Sequence, residues 1–212
     1  MSVTQRLRRD ERGVTLIEVL VATALLAIIM VPLGNALIGY IRNSDAVSRR
    51  LAESHDIQVS AAYFAQDVQS LGVRDWSAHP YPLEQSIEVN APATGGLYPC
   101  GASGTPDAVV RFAWDDPTDV TRTIRVAYVV VTTGTERQLR RLLCVGSSTP
   151  TSDTVLVHNV SQVSGENPTV TCLSPCTDAP AVPRAVRLTI PIREPANDAT
   201  VNVVLEGQRR QT

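Results

Sequence analysis

The feature that most constrains this chain is a long apolar run near its N-terminus. Residues 16–41 contain a single charged side chain, Glu18, and the next charge along the chain is Arg42. At about 1.5 Å of rise per residue, a helix of this length crosses a hydrocarbon core of ~30 Å. The run therefore predicts one membrane-spanning helix.

The charges in front of the apolar run predict its orientation. Four arginines and two acidic residues lie between residues 6 and 12, so the excess charge on this side is positive. Because basic flanks stay on the cytoplasmic side, we expect the chain from Arg42 onward to be exported. A cleaved secretory signal has a shorter apolar region followed by a cleavage site of small residues, and this pattern is not found here.

The overall composition fits one folded domain attached to an anchor. The chain has 212 residues, of which 43% are hydrophobic and 19% charged. That length supports one sizeable core, and a second full domain is not expected. The 19 basic residues, all of them arginine, against 21 acidic ones give a formal net charge of −2. This balance does not favour a general polyanion binder.

Helical periodicity continues beyond the apolar run with a different chemistry. Between residues 43 and 71, apolar residues recur at helical spacings and predict one stripe that packs on a sheet. The stripe comprises Val47, Leu51, Ile57, Ala61, Phe64, Val68 and Leu71. The residues assigned to the polar face are Arg49, Arg50, Glu53, Asp56, Gln66 and Asp67. We predict one helix from about Val14 to Leu71, with local bending or melting near Pro32, Gly34 and Gly39.

A turn-rich stretch after Gly72 gives way to segments rich in β-branched and aromatic residues. The predicted strands are 108–114, 122–131, 137–145, 154–163, 169–173, 184–192 and 200–208. The sequence "TTGTE" at 132–136 predicts a hairpin turn between the second and third of them. The expected fold is α+β, with a long N-terminal helix packed on an antiparallel sheet. The predicted segments are a leader at 1–13, a transmembrane helix at 14–41, its amphipathic continuation at 42–71 and a β-rich exported domain at 72–212.

All four cysteines fall in the part of the chain that is expected to be exported. They are Cys100, Cys144, Cys172 and Cys176. An oxidising compartment favours two disulfides, for which three connectivities are possible. We favour Cys172 with Cys176, which closes a small loop, and Cys100 with Cys144, which ties a long loop to a strand. The alternative is a four-cysteine zinc site, although Cys100 and Cys144 lack the CxxC partners that such sites usually have.

Two charged clusters are candidate binding sites. Arg137, Arg140 and Arg141 lie close together and offer contacts to nucleic acid, although arginines on a strand are more often solvated or ion-paired. Asp115, Asp116 and Asp119 offer carboxylates to calcium, but they lack the spacing and the glycine of an EF-hand loop. A solvated turn before Pro117 explains the acidic cluster equally well. No other cofactor is expected.

The sequence offers little support for catalysis. The three histidines, His55, His79 and His158, are scattered along the chain, and no serine hydrolase or zinc protease motif occurs. No cysteine has the local context of a nucleophile. We therefore expect a protein that is not an enzyme.

At the N-terminus a basic leader, Gly13, Val14, Thr15, Leu16, Ile17, Glu18 and the apolar run occur together and in register. This pattern resembles the class III signal of type IV pilins and type II secretion pseudopilins. The resemblance implies that a prepilin peptidase cleaves between Gly13 and Val14 and that Val14 becomes N-methylated. The family's usual first residue is Phe or Met, from which Val14 departs.

The same resemblance gives Glu18 a role in assembly. A carboxylate in a bilayer costs roughly 2.5–3.5 kcal/mol at mid-membrane on insertion scales, so a partner is expected. After cleavage, Glu18 would lie about 6 Å along the helix from the amine of Val14. In this family the pair formed with a neighbouring subunit sets the register of the filament. A snorkelling or protonated carboxyl in an ordinary single-pass anchor is the alternative.

Four segments of the remaining sequence form a further pattern: "SAAYFAQDVQSLG" with Asp67, "VVRFAW", "VAYVVV" and "RQLRRLLC". This pattern loosely resembles that of the J-type minor pseudopilins and related minor pilins. It implies a subunit that starts or caps a filament with sibling pilins and the major pilin, on an inner-membrane assembly platform. The expected location is the cytoplasmic membrane and then an extracytoplasmic filament. A competence-type or surface pilin whose exported domain binds DNA or another ligand is the alternative.

Overall fold

The computed structural model describes residues 15–176, 182–194 and 199–210. The chain divides into two compact units, Met1–Arg49 and Arg50–Thr212, which are described separately. The described elements are one helix, α1 (Leu16–Ser70), and ten strands. The strands are β1 (Val73–Arg74), β2 (Leu83–Glu84), β3 (Ile87–Ala91), β4 (Ala108–Asp116), β5 (Asp119–Thr133), β6 (Glu136–Val145), β7 (Ser152–Val157), β8 (Thr169–Cys172), β9 (Ala185–Arg193) and β10 (Thr200–Gln208).

The predicted long helix is present and uninterrupted. Helix α1 runs over 55 residues, and it remains helical through Pro32 and both glycines, so the expected local melting does not occur. The predicted start at Val14 lies outside the described residues. The helix ends at Ser70 because Gly72, with a positive φ of 142°, turns the chain onto strand β4. There the amide of Gly72 donates to the carbonyl of Ala113 at 3.1 Å.

The larger sheet has five antiparallel strands in the order β3-β4-β5-β6-β7. Strands β5 and β6 form a hairpin in which Thr133 pairs with Glu136, and Gly134 has a φ of 63° in the turn. The predicted turn at 132–136 is confirmed, because left-handed backbone favours glycine and matches the twist of the strands. The predicted strand 154–163 is wrong beyond Val157, where Asn159 takes a positive φ of 55°.

A second sheet has the order β10-β9-β8, also antiparallel. Strand β10 occupies the predicted residues 200–208 and pairs with β9 over nine consecutive positions. An isolated bridge connects Val160, which follows β7, with Ile192 of β9. Strands β1, β2 and β3 were not predicted, since they lie in the stretch where prolines and glycines dominate.

The core lies between the C-terminal part of α1 and one face of the sheets. Phe64, Phe112 and Tyr128 meet edge to face, with ring centroids 5.5–5.8 Å apart. Residues from β6, β7, β9 and β10 complete the same buried cluster. The α+β fold with a helix packed on antiparallel sheet is therefore confirmed.

One contact shows how closely α1 approaches the second sheet. Gly207 of β10 faces Val68, and an added Cβ at Gly207 would lie 2.5 Å from the Cβ of Val68. Any side chain at this position would push the helix and the strand apart. Glycine is therefore required here by space rather than by backbone conformation.

The predicted apolar stripe is correct only in its second half. Ile57, Ala61, Phe64, Val68 and Leu71 belong to the core or pack against it. Val47 and Leu51, by contrast, are 48% and 66% exposed. The stripe begins to pack where α1 reaches the sheets, and helical periodicity alone does not mark that point.

Candidate functional site

The apolar part of α1 exposes its side chains on all sides. From Leu16 to Ser44, 29 residues are long and apolar enough to cross a membrane, and none of the window is buried. The described side chains of this segment, which we call the apolar segment, are exposed at every position. Such a surface is stable in lipid or against other apolar helices, and it is consistent with a membrane-anchored protein.

Glu18 lies in the first turn of this segment. The amides of Glu18 and Val19 donate to the carbonyl of Thr15 at 3.0 and 3.3 Å, so Thr15 directly precedes the first turn of the helix, which begins at Leu16. The Glu18 side chain makes no hydrogen bond or ion pair with any other residue that the structure describes. An acid near a helix N-terminus is favoured by the helix dipole. Gly13 and Val14, the predicted cleavage and methylation residues, lie outside the described residues.

A second carboxylate of α1, Asp67, has the opposite environment. It is 1% exposed, and Arg141 of β6 binds it through two hydrogen bonds, Nε to Oδ2 at 2.7 Å and Nη2 to Oδ1 at 2.6 Å. The hydroxyl of Tyr128 on β5 donates to the same Oδ2 at 2.6 Å. The Arg141 guanidinium also lies over the ring of Tyr63, 5.0 Å from its centroid. We call these four residues the Asp67 cluster.

The pKa shifts in the Asp67 cluster agree with this geometry. Burial, followed by the Asp67 charge, raises the pKa of Tyr128 well above its usual value, so the phenol stays protonated and donates. Burial alone would lower the pKa of Arg141, but the hydrogen bonds and the charge of Asp67 outweigh it and raise that pKa. The cluster is thus a bidentate ion pair with a phenol as third partner, and it fastens α1 to the centre of the larger sheet.

The Asp67 cluster corrects the prediction that Asp67 lies on a polar face. Two features of the sequence indicate this pair. Asp67 lies among the apolar residues of the helical stripe, and Arg141 lies among the alternating apolar residues of β6. Leu139, Arg141 and Leu143 share one face of β6, and both leucines belong to the core or pack against it. A polar residue in such a position usually needs a buried partner of opposite charge.

The arginines proposed for nucleic-acid contact do not form one surface. Arg141 is buried in the Asp67 cluster, and Arg140 points to the other face of β6, where its Nε lies 3.3 Å from Asp153. Arg137 donates to the carbonyl of Ser161 and to the side chain of Asn167, the latter at 2.8 Å. Arg141 and Arg137 are therefore hydrogen-bonded within the protein, and Arg140 forms a partly exposed ion pair.

The three aspartates proposed as calcium ligands have different partners in the structure. Asp115 accepts hydrogen bonds from the amide of Arg74 at 3.0 Å and from the indole of Trp76 at 3.2 Å. Asp116 and Asp119 instead share Arg122, with nitrogen–oxygen distances of 2.7 and 3.4 Å. Within the described residues, no three potential metal-ligating side chains come together. In this turn Arg122 places a positive charge beside both Asp116 and Asp119.

The pKa values of Asp116 and Asp119 reflect their own turns. Hydrogen bonds from the hydroxyl and amide of Thr118 lower the pKa of Asp116, and Thr121 does the same for Asp119. Arg122 adds a smaller lowering effect to both carboxyls. Both side chains are thus held ionised by local donors, as in Asx turns.

The four cysteines form the two disulfides that the sequence favoured. Cys100 is bonded to Cys144, with Cα atoms 5.7 Å apart and a sequence separation of 44, and Cys172 is bonded to Cys176. The first bond lies in a small second core on the sheet face opposite α1, formed by Cys100, Ala108, Ala127, Val129, Leu142 and Cys144. Because the sulfurs are bonded to each other, none is left in this structure as a thiolate for zinc.

A buried ion pair also holds the loop that leads to Cys100 against the sheet face opposite α1, which we call the outer face. Arg111 of β4 is fully buried, and its Nη2 lies 3.3 Å from Glu88, its neighbour across the sheet on β3. Glu88 also accepts from the amides of Leu97 and Tyr98, and Arg111 donates to the Tyr98 carbonyl at 2.8 Å. Burial, with Glu84 and Glu88 nearby, raises the pKa of Tyr98 to about 12. Together with Cys100–Cys144, these contacts hold residues 96–100 against the sheet.

The histidines have separate surroundings. Nδ1 of His158 lies 2.6 Å from Asp56 Oδ2, so this pair links α1 to the residue after β7. His79 lies in the β1–β2 loop, and its ring is 5.4 Å from that of Tyr81. Neither contact resembles a nucleophile with a base and an orienting group.

Comparison with known proteins identifies the N-terminal motif. Residues 8–34 match the model of the prokaryotic N-terminal methylation motif. The chain therefore carries the class III signal of type IV pilins and pseudopilins. This motif supports a subunit of pilin or pseudopilin type, a structural rather than an enzymatic class, and it implies processing by prepilin peptidase and assembly with other pilin subunits.

The matched residues comprise 8–13 of the predicted leader and the first part of the apolar segment, and the unit Arg50–Thr212 lies outside them. Searches of curated proteins and of solved structures found no match.

Proposed function

We propose that the protein is a minor pilin or minor pseudopilin. Prepilin peptidase cleaves it between Gly13 and Val14, Val14 is methylated, and the subunit enters a type IV pilus or a secretion pseudopilus through the apolar segment. The observation that carries this proposal is the methylation motif, together with an exposed apolar helix that holds one carboxylate in its first turn.

Glu18 is the residue that we propose to direct assembly. A carboxylate at this depth is costly unless a cation compensates it. The amine that cleavage creates at Val14 supplies that cation, either within the chain or from a neighbouring subunit. The leader thus keeps the subunit from assembling early, because the partner of Glu18 does not exist before cleavage.

The exported unit supports a place at the start or tip of the filament. Its helix is fixed to the sheet by the Asp67 cluster, and its outer face is closed by a disulfide and a buried ion pair. The similarity to J-type minor subunits points the same way. A rigid domain of this kind is suited to specific contacts with a few sibling subunits.

The alternative, an exported domain that binds DNA, has less support, because Arg141 is buried and the partly exposed Arg137 and Arg140 already contact other groups of the protein. We expect no salt-sensitive binding of double-stranded DNA by the full chain in detergent micelles. Charge neutralisation of phosphates gives binding that weakens steeply with salt, so a titration across salt concentrations is the appropriate assay.

Mass spectrometry of the mature N-terminus tests the proposal. In the source organism we expect a chain that begins at Val14 and carries one added methyl group. Gly13→Val should keep the anchor but leave the leader in place. An intact Met1, or cleavage after the apolar segment, would overturn the proposal.

Variants at Glu18 then separate processing from assembly. Glu18→Gln keeps the shape and removes the charge, so cleavage should persist while incorporation into sheared filament or pseudopilus fractions is lost. Asp119→Asn, a charge change in an exposed turn of the exported unit, is the matched control and should assemble normally. Normal assembly of Glu18→Gln would contradict the assigned role of the carboxylate.

A further inference from the structure

Strand β10 forms a long, regular sheet edge that no other described strand covers. It pairs with β9 over nine residues without a register shift, and its other side has no neighbour in the described sheet. The other described edges differ. Strand β3 has five residues with Asn90 at a φ of 51°, β7 has six residues and faces a register shift, and β8 has four.

In an antiparallel pair, alternate residues of a strand form hydrogen bonds with the neighbouring strand, and this alternation shows which backbone groups of β10 point away from β9. The amide of Arg209 donates to Arg184 at 2.8 Å, and the carbonyl of Ala199 accepts from Glu194 at 2.8 Å. Both residues have odd numbers, so the odd-numbered positions of β10 face β9. The N–H and C=O groups of the even-numbered residues therefore point outward, among them those of Asn202, Val204 and Glu206.

Over residues 200–208 this edge lacks the proline, bulge and basic residues that often block strand addition, whereas just beyond it the outward amide of Arg210 donates to the carbonyl of Gln69 on α1 at 3.2 Å. Proteins commonly protect edges with proline, with charged side chains, with bulges or with short strands. Strand β10 contains no proline and no basic residue, and its single charge, Glu206, is paired with Arg187 at 2.6 Å. Val201 and Val204 are each 48% exposed, one on each face of the strand.

We propose that β10 is a docking edge for one extended strand of a different exported subunit, which lengthens the second sheet by backbone pairing. This inference rests on the proposed function, since it names the kind of neighbour that the subunit meets. The ligand is defined by its chemistry. It is an extended segment with free N–H and C=O groups, with an apolar residue opposite Val204 and with a residue other than Asp or Glu opposite Glu206.

The geometry of filaments favours a different protein over a second copy. Subunits related by a screw rotation make heterologous contacts, so a second copy would offer one of its other edges to β10. Those described edges have four to six residues in β8, β3 and β7. None of them matches an edge of nine residues.

Amide hydrogen exchange on the full chain in detergent micelles tests the edge directly. The probes are the other chains of the source organism that carry the class III signal, each co-expressed singly with this one. Alone, the amides of Asn202, Val204 and Glu206 should exchange on the order of 100-fold faster than those of Val203 and Leu205. With the correct partner, the even-numbered amides should become protected while the odd-numbered ones stay as they were.

Proline provides a variant that acts on the backbone alone. Val204→Pro removes an outward N–H, so pairing with β9 is kept, and an edge strand tolerates this change. It should weaken the complex by about tenfold or more, because one hydrogen bond is lost and the ring obstructs the incoming strand. Val204→Thr is the matched control, since it keeps the N–H and the β-branched shape, and it should bind normally. Protected amides at Val203 and Leu205 verify that the proline variant is folded.

The outcomes separate this proposal from the proposed function. If the chain is cleaved at Gly13 and assembles while Val204→Pro has no effect and the even-numbered amides stay unprotected, the docking edge is wrong and the proposed function stands. If protection requires only a second copy of this chain, the choice of partner is wrong. If the leader is never cleaved, the proposed function fails whatever β10 does.

Discussion

The two parts of α1 show how one helix serves two surroundings. Between Leu16 and Ser44 its described side chains are exposed and almost all apolar, whereas Phe64 and Val68 are fully buried against the sheets. The first part has no partner surface within the described chain, and the second has a complete one. An apolar surface left open over such a length indicates that its partner is lipid or another subunit.

The two carboxylates of the helix sharpen this comparison. Asp67 receives three hydrogen bonds from Arg141 and Tyr128, while Glu18 has no partner among the described residues. A buried charge that is paired and hydrogen-bonded holds the elements of a fold together. An unpaired charge in an apolar segment favours binding to a charged group on another molecule. Stability should therefore depend on Asp67, and assembly should depend on Glu18.

The largest expected effect tests that division. Arg141→Ala leaves Asp67 as a buried, unpaired charge and should lower the free energy of unfolding by about 3–5 kcal/mol. Tryptophan fluorescence during denaturant unfolding of the full chain in detergent measures this loss. Arg140→Ala, which removes a partly exposed pair, is the control and should cost about 0–1 kcal/mol. Glu18→Gln should change the value by less than about 0.5 kcal/mol. A large effect of Glu18→Gln would erase the distinction between the two carboxylates.

The two disulfides should contribute differently to the free energy of unfolding, because they close loops of different lengths. From the loss of loop-closure entropy, a double alanine substitution that removes Cys100–Cys144 should lower the free energy of unfolding by about 4 kcal/mol. The same change at Cys172–Cys176 should lower it by about 2 kcal/mol. The sequence separations behind these figures are 44 and 4 residues. Thermal unfolding of the two double variants, scanned under oxidising conditions, gives the order. An inverted order would mean that local contacts of the small loop outweigh chain entropy.

A smaller loss is expected where α1 meets β10. Gly207→Ala places a methyl group against Val68 and should cost about 1–3 kcal/mol through overpacking. The double variant Gly207→Ala with Val68→Ala should recover part of this loss, because space is returned to the added methyl group. Denaturant midpoints of the single and double variants provide the comparison. Additive losses would show that the two residues do not share this space.

The smallest effect concerns the turn at Asp116. Because the folded pKa of Asp116 lies below its unfolded value, its contribution is present above about pH 3.9 and is lost as the pH falls through the folded pKa. Thr118→Ala removes a donor and should move that pKa upward, toward its usual value. Carboxyl carbon shifts followed by NMR titration measure the change, with Thr121→Ala as the matched test at Asp119.

Local pattern predicted those elements whose residues carry their own signal. Strands β4, β5, β6 and β10 have alternating or β-branched residues, and the Gly134 hairpin has its turn chemistry in the sequence. Strand β3 was missed because "SIEVNA" lies among prolines, and its pairing with β4 comes from a distant part of the chain. Asp67 was misassigned because polarity in a helical pattern does not show whether a buried base faces it.

The candidate sites divide in the same way. The class III signal is contiguous, so the sequence alone exposed it. The arginine and aspartate clusters are contiguous too, but the strand alternation sends Arg140 and Arg141 to opposite faces, and Arg122 enters the acidic turn from β5. Clustering along a chain therefore predicts a site only where the backbone keeps the side chains together.

The bond between Cys100 and Cys144 also sets an order of events. A thiol pair of this kind stays reduced in the cytoplasm and joins in an oxidising compartment. Under the proposed function, the loop that carries Cys100 is locked onto the sheet only after the β-rich unit has crossed the membrane. Closure of the outer face is then a late step in the life of the subunit, and it distinguishes the chains that have completed export.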